Sequence, residues 1–209
     1  MKGEMKKEWS CWYNMVPGAE LEDLVSAAMQ GAARNLSAMV GRTISICTQR
    51  VLTVPLCQIN EYAGHPESEM IGVYLLIEGD RSGQAVLMFT TESALKLVDL
   101  LMGLPTGSTQ SLEDMERAAL GEVGNMMVSG FLNDLVAVIG GELRPSPPAV
   151  MVDMLGVIMG LVASSVAAMS DDLLVIDASL VDAEQMVQAR LWVLPAPETE
   201  RVSDVCPSC

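Results

Sequence analysis

Apolar residues recur at helical spacing in two long stretches of this chain and at strand-like density in several shorter ones. Leu21, Leu24, Val25, Ala28, Ala32, Leu36 and Met39 predict a helix over 18–40, ended by Gly41 in the left-handed position. Residues 43–57 are rich in Ile, Val and Thr and read as extended, with Pro55 near their end. The polar stretch 61–70 holds the only histidine, His65, and a lone loop histidine is assigned no role. Segments 71–78 and 84–89 read as strands joined by the hairpin loop Gly79-Asp80-Arg81-Ser82-Gly83. Thr91 is placed to cap the next helix, with Ala94, Leu97, Val98 and Leu101 facing inward and Gly103 and Pro105 stopping it.

A short polar connector, 106–110, leads to a second half that looks like the first. Ser111, with Asp114 three residues on, is placed to cap another long helix over 112–139. On it, Leu120, Val123, Met127, Phe131, Leu135 and Val138 fall on one side, and Glu122, Asn125 and Ser129 fall on the other. The uncharged run 154–169 predicts a buried helix near 153–169. It is shorter than the ~20 residues of a membrane span, and it is flanked by Asp153 and Asp171-Asp172 rather than by basic anchors. Strands at 173–180 and 185–194 follow, the second ended by Pro195-Ala196-Pro197.

An offset of 99 residues sets Gly41 on Gly140, Leu36 on Leu135, Ala38 on Ala137 and Asp23 on Glu122. This internal repeat predicts one α+β domain over 18–197, built from two similar halves, 18–105 and 111–197. The halves are expected to share a largely antiparallel sheet about a pseudo-twofold axis, with the long helices packed on it. Residues 1–17, with Trp9, Trp12 and Tyr13, read as an N-terminal arm, and 198–209 as a polar tail.

Composition narrows the function classes. Half of the 209 residues are hydrophobic, aromatics are few and Met is frequent, so the core is aliphatic and methionine-filled. A net charge of −15 opposes the approach of a phosphate backbone, which argues against nucleic acid as a partner. Five Cys without a secretory leader indicate a reducing, cytoplasmic setting. Cys206-Pro-Ser-Cys209 is half of a tetrahedral zinc site and lies in the tail rather than at a helix start, so it is read as a pair of exposed thiols. No metal-ligand constellation, Walker-type phosphate loop or nucleophile elbow is found, and no metal site is assigned.

What stands out is polar and helical. Glu122 and Asn125, three residues apart, present a carboxylate and a carboxamide together on one exposed face, although any solvated helix face can carry such a pair. Gly121, Gly124 and Gly130 interrupt the same helix, and glycines in a helix interior point to close approach by the protein's own core or by a partner.

Glu-x-x-Asn followed after 22 intervening residues by Pro, here Glu122, Asn125 and Pro148, resembles the signature of the CheC/CheX/FliY phosphatases, most nearly the CheC type. These are chemotaxis proteins that dephosphorylate the response regulator CheY. The runs G-D-R-S-G-Q-A-V-L-M-F and A-L-K-L-V-D-L-L-M-G resemble the family's strand–turn–strand–helix. The resemblance implies that Asn125 orients the attacking water, that Glu122 pairs with the receiver's active-site lysine, and that Pro148 shapes the flanking loop. It also implies that Mg²⁺ belongs to the receiver, so the chain needs no cofactor of its own. CheC-type relatives often carry two such sites. Here the repeat offers Asp23 for Glu122, Ser26 for Asn125 and Gln49 for Pro148, a degenerate first site beside one intact one. The expected function is hydrolysis of the phospho-aspartate of a CheY-like receiver. The alternative is a non-catalytic adaptor of the chemotaxis or flagellar-switch machinery, for example one that binds the receptor deamidase CheD.

Overall fold

The two halves repeat one order of elements. The first runs α1 (Gly18–Val40), β1 (Ser45–Pro55), α2 (Ile59–Ala63), β2 (Glu69–Gly79) and β3 (Gly83–Thr90). Helix α3 (Thr91–Met102) leads into the second, which runs α4 (Asp114–Ile139), β4 (Leu143–Pro145), β5 (Ala149–Met154), α5 (Leu155–Val166), β6 (Asp172–Val181) and β7 (Met186–Pro195). This computed structural model describes residue 16 and residues 18–55, 58–166, 172–181 and 186–196. Trp9, Trp12, Tyr13 and the Cys206/Cys209 pair lie outside the described residues.

All seven strands join one sheet in the order β1-β6-β7-β3-β2-β4, with β5 also on β2, and every pairing is antiparallel. If β4 and β5 are taken as one interrupted strand, the order reads the same from either edge once the halves are exchanged. The first strand of each half therefore lies on the second strand of the other half, β1 on β6 and β5 on β2. The fold is α+β with a shared antiparallel sheet, as the repeat predicts.

Alternation along the strands sends apolar side chains to both faces, and each face is roofed by helices. On one face, Leu24, Val25 and Ala28 of α1, Leu97 of α3 and Phe131 and Leu135 of α4 pack with Ile71, Val73, Leu87, Ile176 and Leu191. On the other, Ile59 and Ala63 of α2 and Ile158 and Val162 of α5 pack with Val86, Met88, Val175 and Trp192. Each such buried side chain contributes about 1.5–3 kcal/mol relative to exposure. Helix α4 is long and apolar enough to cross a membrane by length and composition alone, yet its apolar side is buried against α1 and the sheet.

Several details differ from the sequence expectations. Met39 and Val138, placed on the buried stripes, are exposed, because in the last turn of each helix it is the next residue, Val40 or Ile139, that packs on the core. The cap of α3 is Thr90, whose hydroxyl accepts the Ser93 N–H at 3.1 Å; Thr91 instead donates to Glu69 Oε1 at 2.9 Å. Glu113, not Ser111, caps α4, with its N–H held by Glu116 Oε2 at 3.0 Å. The polar stretch before β2 includes the short helix α2. The helix expected near 153–169 is preceded by strand β5, and it is not wholly buried: Val157 and Leu161 face outward.

The 106–110 connector is anchored rather than loose. The buried Asp99 carboxylate accepts Gly107 N–H at 2.7 Å, Ser108 N–H at 3.2 Å, Thr109 N–H at 2.8 Å and the Thr109 hydroxyl at 2.6 Å. Burial pushes this carboxyl's pKa up. The Thr109 hydroxyl and the three N–H donors outweigh burial and hold it below its ordinary value.

Candidate functional site: a carboxylate and a carboxamide on helix α4

Helix α4 is set on the sheet by what its glycines omit. A Cβ on Gly124 would fall 2.5 Å from Val73 Cγ1 of β2, so a side chain there would lift the helix off the strand. A Cβ on Gly130 would lie 3.4 Å from the Ala28 carbonyl oxygen, where α1 crosses. A Cβ on Gly121 would lie 3.2 Å from Pro148 Cγ. The protein's own packing therefore requires glycine at 124 and crowds position 121, whereas a methyl at 130 would make ordinary contact with α1.

With Gly121 and Gly124 turned toward the sheet beside the buried Val123, Met127 and Val128, the opposite side of the helix faces out. Glu122 is exposed, while Asn125 and Ser129 are half-buried on the same side. One turn of helix separates Glu122 from Asn125, which brings their Cβ atoms to about 5–6 Å. The two side chains stand on the backbone of a 26-residue helix, so their relative placement is rigid.

Pro148 reaches the helix at Gly121 through a break in an edge strand. β4 pairs with β2 from Gly79 to Ile77, and β5 pairs with it from Tyr74 to Glu69. Between them lie Ser146, Pro147 and Pro148, and the two prolines have no N–H to give the ladder. Ser146 bridges the gap: its N–H donates to Leu76 O at 2.8 Å, and its hydroxyl accepts Leu76 N–H at 2.9 Å. The hydroxyl stands in for a missing backbone acceptor and frees the prolines to rise toward α4. The Pro148 ring comes to rest over Gly121, one residue before Glu122.

The other half places its counterparts differently. Asp23 is exposed and Ser26 half-buried on α1, matching Glu122 and Asn125 in exposure. Gln49, however, sits at a register shift between Thr48 and Arg50 in β1, and its Nε2 donates to the Ser179 hydroxyl at 2.7 Å. It is tied to the neighbouring strand, and position 49 carries no ring to lay on the helix. His65 lies in the loop after α2, where Nδ1 accepts Glu67 N–H at 3.4 Å. Among the described residues no three His, Cys, Asp or Glu side chains gather as metal ligands.

Sequence reasoning missed Ser146 and the partnership of Gly121 with Pro148. The Ser-Pro-Pro run and the glycine directly before Glu122 were the available signals.

The chain matches the family described as chemotaxis phosphatase CheX over residues 71–169, a span that contains Glu122, Asn125 and Pro148 but not Asp23 or Ser26. It is 23% identical over 190 residues to the CheY-P phosphatase CheC of Bacillus subtilis, covering 88% of this chain and 91% of that protein. The fold is shared with Thermotoga maritima FliY at a TM-score of 0.68 and 19% identity, over 87% of this chain and 91% of that one. It is shared also with a CheX chemotaxis protein from Desulfovibrio desulfuricans at a TM-score of 0.52 and 15% identity, over 83% and 99% of the respective chains. Motif, fold and these similarities together support the CheC/CheX/FliY family of chemotaxis proteins, which includes CheY-P phosphatases, as the family that this chain resembles.

Proposed function

We propose that this protein hydrolyses the phospho-aspartate of a CheY-like receiver in the cytoplasm, using the single Glu–Asn pair on α4. The observation that carries the reading is the outward presentation of Glu122 and Asn125 on a rigid helix with Pro148 seated beside them. The B. subtilis relative's name, CheY-P phosphatase, supports the same substrate class.

An acyl phosphate is labile, and a receiver carries its own Mg²⁺ and lysine at the phosphoryl group. What this chain adds is position. The Asn125 carboxamide accepts a hydrogen bond from a water and donates to a phosphoryl oxygen, holding the water in line with the bond that breaks. Water forms the new P–O bond, the aspartate carboxylate leaves, and the water's proton ends on inorganic phosphate or solvent. The Glu122 carboxylate pairs with the receiver's lysine and fixes the docking register. Pro148 walls the site and takes no part in bond making.

The test is phosphate release from an acetyl-phosphate-charged receiver with Mg²⁺, with and without this protein. Wild type should accelerate release, and Asn125→Ala should lower that acceleration about 10²-fold or more. Glu122→Ala should weaken binding as well as rate. Complex formation with no acceleration would leave the adaptor reading in place of the phosphatase one.

A further inference from the structure

We infer that Gly121 is a positioning residue of this site: its missing side chain is what lets the Pro148 ring seat against α4 beside Glu122 and Asn125. The inference rests on the phosphatase reading and deepens it.

The geometry leaves little slack. A Cβ at Gly121 would meet Pro148 Cγ at 3.2 Å, and Pro148 Cβ and Val150 Cγ2 at 3.7 Å each. The first distance is shorter than a methyl and a ring carbon settle at, so something must shift by a few tenths of an ångström. Pro148 can give only by changing its ring pucker, which moves the same Cγ that rests on the helix, and its neighbours are pinned. Ser146 is bonded twice to Leu76, and Ala149 is paired with Tyr74. The displacement falls on the two prolines or on the turn of α4 that carries Glu122. Either way it changes the spacing between the wall of the site and the two working side chains.

The first half supplies an internal comparison. At the 99-residue offset, Glu22 stands where Gly121 does and Gln49 where Pro148 does. Glu22 is exposed, and Gln49 is drawn to Ser179 instead of lying on the helix. The bare helix position and the seated ring are both present in one half and both absent from the other.

The experiment is a cycle of Gly121→Ala, Pro148→Ala and the double variant, with Asn125→Ala as reference. Turnover and KM are measured on the phosphorylated receiver, and Tm on each protein alone. Gly121→Ala should lower kcat about 3- to 10-fold, since small misplacements cost rate steeply, and leave KM within about 2-fold. Its Tm should not fall, because Ala is the better helix former. In the Pro148→Ala background the same change should cost less than about 2-fold, since the ring it displaces is gone. Wild-type kcat in Gly121→Ala, or losses that multiply in the double variant, would overturn the inference while the phosphatase reading stands. A wild-type protein that leaves phosphate release unaccelerated, or an Asn125→Ala variant that retains turnover, would overturn both.

Discussion

Single residues divide this protein's two halves more sharply than its backbone does. Asp23 and Ser26 match Glu122 and Asn125 in exposure, yet Asp is a methylene short and Ser has no carboxamide. Changing either to Ala should leave receiver dephosphorylation within about 2-fold of wild type, whereas equal losses from Ser26→Ala and Asn125→Ala would mean two working sites. The harder test is repair. In an Asn125→Ala background, Asp23→Glu with Ser26→Asn should stay inactive, because Glu22 and Gln49 still leave the wall of the site unbuilt. Adding Glu22→Gly and Gln49→Pro should restore measurable turnover. Recovery from the first pair alone would show that the seated ring is dispensable.

The Glu–Asn pair was legible in the sequence because helical spacing places i and i+3 on one face. The contact between Gly121 and Pro148 was not, because it joins a helix to an edge strand across 26 intervening residues, and no local pattern records that distance.

At the scale of elements, the long helices and the strands around the two hairpins were readable because each carries its own periodicity. β4 and β5 were not. Three residues are too few for a pattern, the prolines read as loop, and β5 merges into the apolar run that forms α5. Caps shifted by one or two residues, since Thr90, Thr91, Ser111 and Glu113 are all capable and tertiary contacts choose among them.

The connector at 106–110 was legible but its anchoring was not, because Asp99 looks like any polar residue on a helix. Asn at this position would turn an N–H₂ toward N–H groups that now point at a carboxylate oxygen, and Asp99→Asn should cost about 1–3 kcal/mol at pH 7. Because the folded-state pKa of Asp99 is depressed, its stabilisation is complete above the unfolded carboxylate value, about 3.9, and is lost as pH falls through the lower folded value. Urea unfolding of the two proteins should therefore differ by a constant amount from pH 7 to about 5 and converge in stronger acid. A gap that persisted below the folded pKa would mean that the carboxylate's charge is not what holds the loop.

For the molecule as a whole, the exchange of first strands between halves governs how structure can be lost. β1 is held by β6 and β5 by β2, so neither half completes the sheet from its own chain. The half without an intact Glu–Asn pair is accordingly not spare. Residues 106–209 expressed alone would keep β6 and β7 paired but leave β4 and β5 without β2, β6 without β1 and β7 without β3, all bare edges open to association. The repeat offers such a fragment one remedy. A second copy of itself could lend its β5 to the vacant side of β6 and receive the same in return, since β6 answers to β2 by position in the sheet. Sedimentation of the fragment should show dimers or larger assemblies and no folded monomer. The intact chain carries out within one polypeptide an exchange that its second half alone would have to make with a twin.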